Sequence, residues 1–93
     1  MTNKFHSLAN LYTYIQNAKK IDLLESQIKS KEADALHFEE LQVIYDLMGA
    51  DYMIEDAAKK CNQVTKEVLK LKIQKNQVER EMLEFELGTL EEN

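Results

Sequence analysis

Cys61 is the chain's single cysteine, His6 and His37 are its two imidazoles, and Arg80 is its single arginine. Nucleophilic catalysis needs a Ser or Cys beside a base that a third group orients. Cys61 instead falls between Ala57 and Val64 in an apolar series of helical spacing, where a cysteine packs as a small hydrophobe. One cysteine also allows neither an internal disulfide nor a multi-cysteine zinc site. His37 follows Asp34 by three residues, so the two can share a helix face. Di-iron bundles use a paired Glu-x-x-His motif plus two further carboxylates. This chain has one Asp-headed version, which only a symmetric dimer would duplicate. Walker and dinucleotide fingerprints, with their glycine-rich phosphate cradles, are absent. The expectation is a protein that is not an enzyme, with no catalytic, metal-binding or cofactor-binding residues and no cofactor.

The run Lys20-Ile21-Asp22-Leu23-Leu24 is similar to the opening of the all-helical chorismate mutases. Those enzymes grip a dicarboxylate with several arginines, whose planar donors match carboxylates in pairs. Arg80 stands alone here, so that activity is not expected.

The elements that would position any site follow from composition. Ninety-three residues make one small domain that buries only about 60–65% of its unfolded surface. With no Pro and only Gly49 and Gly88 as glycines, the turn clusters of a β fold are missing. An apolar fraction of 44% beside 31% charged residues argues against disorder. No apolar run approaches the ~18–20 residues of a membrane span. Met1-Thr2-Asn3-Lys4 opens without an apolar signal-peptide region, so a cytoplasmic protein is expected.

The charges are strongly segregated. Residues 1–31 carry five lysines against Asp22 and Glu25, and residues 32–56 carry eight acids with no base. Residues 57–75 carry six lysines against Glu67, and residues 76–93 carry Arg80 against six glutamates. The blocks therefore run +3, −8, +5 and −5. Folded antiparallel at Gly49, with residue i facing residue 99 − i, each block meets its opposite. Exposed ion pairs contribute only ~0–1 kcal/mol, so this pattern chooses orientation more than it stabilises. An antiparallel homodimer centred near residue 57 would oppose the middle blocks equally well.

From residue 54 onward the apolar residues keep a 3,4 spacing: Ile54, Ala57, Cys61, Val64, Val68, Leu71, Lys75, Val78, Met82 and Phe85. Such a series lays one seam down a long helix, and its polar member, Lys75, can fix register at a cost in stability. The first half is less regular. Leu8, Leu11, Ile15, Ala18, Ile21, Leu24 and Ile28 form one run, and Phe38, Leu41, Tyr45, Met48 and Tyr52 another. Between them Ser30 resembles an N-cap followed by acids, so a kink or short break is expected at 30–34, although Ala33 and Ala35 permit a continuous helix. Gly49 suits the left-handed residue that ends a helix, and Asp51 is placed to cap the next. The expected fold is all-α: a long antiparallel helical hairpin with coiled-coil-like packing. It comprises an arm over 5–48 (split near 30–34 to give three helices if broken), a turn near 49–50 and a long helix over 51–88. Each arm of about 43 residues would measure on the order of 65 Å.

Leu69, Ile73, Leu83 and Leu87 lie on the long helix nearly opposite its seam. A two-helix hairpin leaves them in water, and contiguous apolar surface of that kind marks an interaction site. A first arm folded as two helices around the long one would instead cover them within one chain. The function expected is thus a helical protein–protein interaction module. It would bind a protein partner, self-associate as a homodimer through that apolar face, and act as an adaptor, chaperone-like subunit or inhibitor of a larger protein. Neither nucleic acid nor membrane is an expected partner: the lysines of 59–75 lack interleaved aromatics and face the acidic block. An alternative is a nucleic-acid mimic built on Glu39, Glu40 and Asp46 of the acidic block. A further alternative comes from a resemblance. In length, turn position and Leu47-Met48-Gly49, the chain resembles the small secreted helical hairpins of the Trp-x-Gly family, with Leu where that family has Trp. Tyr52-x-x-x-Asp56 has the form of the family's export signal, which lies near the C-terminus there and beside the turn here. That resemblance implies a secreted hairpin.

Overall fold

A computed structural model of the chain describes residues 8–91, with side chains through residue 86. It contains two α-helices, α1 (Leu8–Met48) and α2 (Asp51–Glu91), each of 41 residues. They pack antiparallel into a rod of 69 × 17 × 16 Å. The all-α hairpin is what heptad spacing and a single mid-chain glycine dictate.

The reversal is a Schellman turn. Gly49 adopts φ +73°, a conformation that costs an L-residue with a Cβ but not glycine. Its N–H donates to the Asp46 carbonyl at 3.1 Å, and the Ala50 N–H donates to the Tyr45 carbonyl at 2.9 Å. These two bonds satisfy carbonyls that the end of α1 leaves without helical partners. The Ala50 carbonyl then accepts from the Ile54 N–H at 3.3 Å, so Ala50 closes α1 and caps α2 at once. Asp51, expected to be the cap, is instead the first residue of α2, where its carboxylate favours the positive end of the helix dipole. A turn this tight leaves no residue free to serve only as a cap.

The expected break at 30–34 does not occur: α1 runs uninterrupted from Leu8 to Met48, and no third helix exists among the described residues. The physical reason lies in the seam of α1. Leu24 and Ile28 are buried, and the same 4,3 spacing continues through half-buried Lys31, Ala35, Phe38, Gln42 and Tyr45. Lys31 and Ala35 thus hold the helix in register across the Ser30–Asp34 stretch, and a cap at Ser30 would forfeit that packing.

The seam of α2 follows the 3,4 series. Ala57, Cys61, Val68 and Val78 are buried, and Ile54, Val64, Leu71, Lys75, Met82 and Phe85 are half-buried. Several apolar residues of the first half lie elsewhere. Leu8 and Ile15 are exposed towards the open end, and Met48 and Tyr52 are exposed because the last seam layer is Tyr45 against Ile54 and they lie beyond it. Burying an aliphatic such as Leu24 or Ile28 stabilises by about 1.5–3 kcal/mol, and few such side chains carry the core.

Candidate functional site

Cys61 occupies the seam, its thiol donating to the Ala35 carbonyl at 3.7 Å. Only a small side chain lets helix backbones approach so closely, and burial removes the thiol from solvent. His37 is exposed with its ring 5.7 Å from that of Phe38. Among the described residues, no three His, Cys, Asp or Glu side chains converge as a metal cluster. His6 lies outside the described residues. No described helix is long and apolar enough to cross a membrane.

Ion pairs cross the hairpin at its middle. Lys31 meets Glu67 at 2.8 Å, Lys75 meets Glu25 at 3.2 Å, and Lys72 meets Glu32 at 3.7 Å. All three fall within five residues of the register in which i faces 99 − i. Lys75, the polar member of the α2 seam, also reaches Glu79 at 3.6 Å. Two of these pairs use minority charges, Glu67 inside the basic block and Glu25 inside the basic N-terminal block. The block pattern therefore sets the field around the rod, while the seam lysines Lys31 and Lys75 and the residues beside the seam make the short contacts. The hydrogen bond from the Lys31 ammonium, followed by that from the Gln63 amide, holds the Glu67 carboxyl below its ordinary value. Hydrogen bonds to Glu67 and Glu25 respectively hold the Lys31 and Lys75 ammonium groups above theirs.

The functional candidates are surfaces. Leu69, Ile73 and Leu83 are 59%, 50% and 55% exposed on α2, away from the seam. The side chain of Leu87 lies outside the described residues. Glu39, Glu40 and Asp46 are exposed and form no ion pair among the described residues. Sequence reasoning missed a second apolar group at the closed end: Val43, Ile44, Leu47, Met48 and Tyr52 are all exposed. The signal was available in the series Leu36, Val43, Ile44 and Leu47, which keeps helical spacing on α1 outside its seam.

One flank of the hairpin is grooved between Ile21 and Glu39 of α1. A groove of about 260 Å³ lies between Leu36 and Glu39 of α1 and Thr65, Val68 and Lys72 of α2. Glu32 and Lys72 also border the next groove, which continues to Glu25 and Lys75. A third, bounded by Ile21, Met82 and Leu83, extends the line towards the open end. Such a furrow between two helices is lined by seam residues at its floor and by flanking residues at its rims.

Comparison with known protein families, curated proteins and solved structures found no match to this chain.

Proposed function

We propose that the chain is a non-enzymatic, cytoplasmic helical interaction module that self-associates as a homodimer and serves as an adaptor, chaperone-like subunit or inhibitor of a larger protein. The observation that carries this reading is the balance of apolar surface. Thirteen large hydrophobic side chains are exposed among the described residues, and no large one is fully buried. The chain exposes 7134 Å², against about 5,600 Å² for a compact chain of 10.9 kDa. The excess exceeds the roughly 800 Å² that each partner buries in a standard interface. Self-association through the outer face of α2, bearing Leu69, Ile73 and Leu83, removes apolar area that the hairpin itself cannot cover.

Sedimentation equilibrium at micromolar concentration tests this. The unaltered chain is expected above the 10.9 kDa of one copy. Ile73→Asp combined with Leu83→Asp should return it to one copy with helicity largely intact, since both side chains lie outside the seam. A strictly monomeric chain that unfolds cooperatively, or an assembly that survives both aspartates, overturns the reading.

A further inference from the structure

We infer that the closed-end half of the grooved flank is a docking surface for a cationic amphipathic helix of another protein. This rests on the reading of the chain as an interaction module but uses a different surface from the outer face of α2.

Leu36 borders the groove and Val43 follows it by two helical turns on the same face of α1; they are 55% and 61% exposed. Across the groove, Thr65 and Lys72 form the rim on α2. The floor between these walls is apolar, formed by Ala35 and Val68. A third helix laid in this furrow buries apolar side chains spaced at i, i+3 and i+4, the ordinary helix-in-groove mode. The groove is closed at its inner end by the Lys72–Glu32 ion pair. Beyond the groove the same face of α1 continues, and from Leu36 to Asp46 it measures about 15 Å, roughly three turns of a docked helix.

Charge identifies the occupant. Glu39 borders the groove, and Asp46 follows it by two turns on the same face. Neither forms an ion pair among the described residues, and no Lys or Arg occurs between residues 32 and 56. A second copy presenting this flank would set carboxylates against carboxylates, which disfavours it as the occupant. Aliphatic side chains interleave with the acids, so the surface suits a helix with both leucines and lysines better than a phosphate-binding groove. The opposite flank of α2 offers no such mixture: Asp56, Gln63, Lys70, Gln77 and Glu84 recur there at heptad spacing.

The test is fluorescence anisotropy with a labelled peptide of about 18 residues, Leu at helical spacing and Lys elsewhere, against a counterpart with Glu for every Lys. The Lys peptide should bind the unaltered chain and the Glu peptide should not. Leu36→Asn with Val43→Asn should weaken binding about 10-fold or more by removing apolar contact. Glu39→Gln with Asp46→Asn should weaken it several-fold and flatten its dependence on salt. Leu23→Asn with Ile44→Asn, exposed on the other flank of α1, should leave it within about two-fold, controlling for charge attraction without docking. Equal losses on the two flanks, or equal binding of the Glu peptide, overturns the proposal. Self-association abolished by Leu36→Asn with Val43→Asn also overturns it, making a second copy the occupant. Sedimentation of the Ile73→Asp, Leu83→Asp variant separates the two readings: a monomer that still binds the Lys peptide keeps the groove and confines self-association to the outer face of α2.

Discussion

The middle of the rod and its closed end are built from the same two helices but spend their apolar residues differently. In the middle, Leu24, Ile28, Val68 and Val78 are buried, and the three ion pairs between the helices cluster around them. At the closed end the seam narrows to Ala57 and Cys61, while Val43, Ile44, Leu47, Met48 and Tyr52 face outward. Large aliphatics therefore hold the hairpin where they are paired and remain in water where the seam has run out. The contrast teaches that apolar content alone does not locate a core; register does. It also separates residues that fix the fold from residues the fold leaves in water.

The largest expected effect breaks this contrast at its strong side. Leu24→Ala or Ile28→Ala should cost about 2–4 kcal/mol in urea unfolding, since each leaves a hole in the seam. Leu47→Ala, at 82% exposure, should stay within about 0.5 kcal/mol although it deletes the same group. Equal losses at the two positions would erase the distinction between middle and closed end.

The turn comes next. A Cβ added at Gly49 would meet nothing within 4 Å, so Gly49→Ala carries no clash and reports only the strain of φ +73°. A loss of about 1 kcal/mol is expected, read as a lowered unfolding midpoint. An unchanged midpoint would mean the reversal does not depend on a left-handed residue.

Lys75→Leu sharpens the contrast from the other direction. An apolar residue at this seam position should raise the unfolding midpoint while weakening the choice of register that the bonds to Glu25 and Glu79 enforce. A lowered midpoint would make Lys75 a stabilising residue rather than a specifying one.

How much of this was legible follows from the same residues. The α2 seam could be read directly because nine of its ten positions from Ile54 to Phe85 are apolar. The turn at Gly49 was legible too, since it is the one glycine near mid-chain, whereas the charge blocks alone fitted an antiparallel homodimer equally well. The α1 seam was hidden because Lys31 and Gln42 occupy it, and a pattern of apolar residues skips both. That gap made Ser30 look like a cap. Met48 and Tyr52 continued an apolar series on paper, but the chain turns before they can reach a partner helix. The groove was not legible at all, for it depends on which flank of each helix faces the same way.

The smallest expected effect is electrostatic. Glu67 is held below the ordinary 4.5, so its contribution is present above that pH and is lost as pH falls through the lowered value. Lys31 and Lys75 are held above 10.5, so theirs are present below that pH and vanish as it rises through the raised values. Stability should therefore decline gently on both sides, and molar salt should blunt the change, because these groups are exposed. A profile that sharpens in salt would contradict the assignment.

The most direct single measurement is small-angle X-ray scattering on an absolute intensity scale, which reads length and mass together. Two hairpins lying side by side should give a mass of twice 10.9 kDa with a longest dimension still near 69 Å. One unbroken helix would instead extend to roughly 140 Å. That length, or a 69 Å particle that keeps the mass of one copy at every concentration, would contradict a doubled-back rod that associates through its uncovered apolar face.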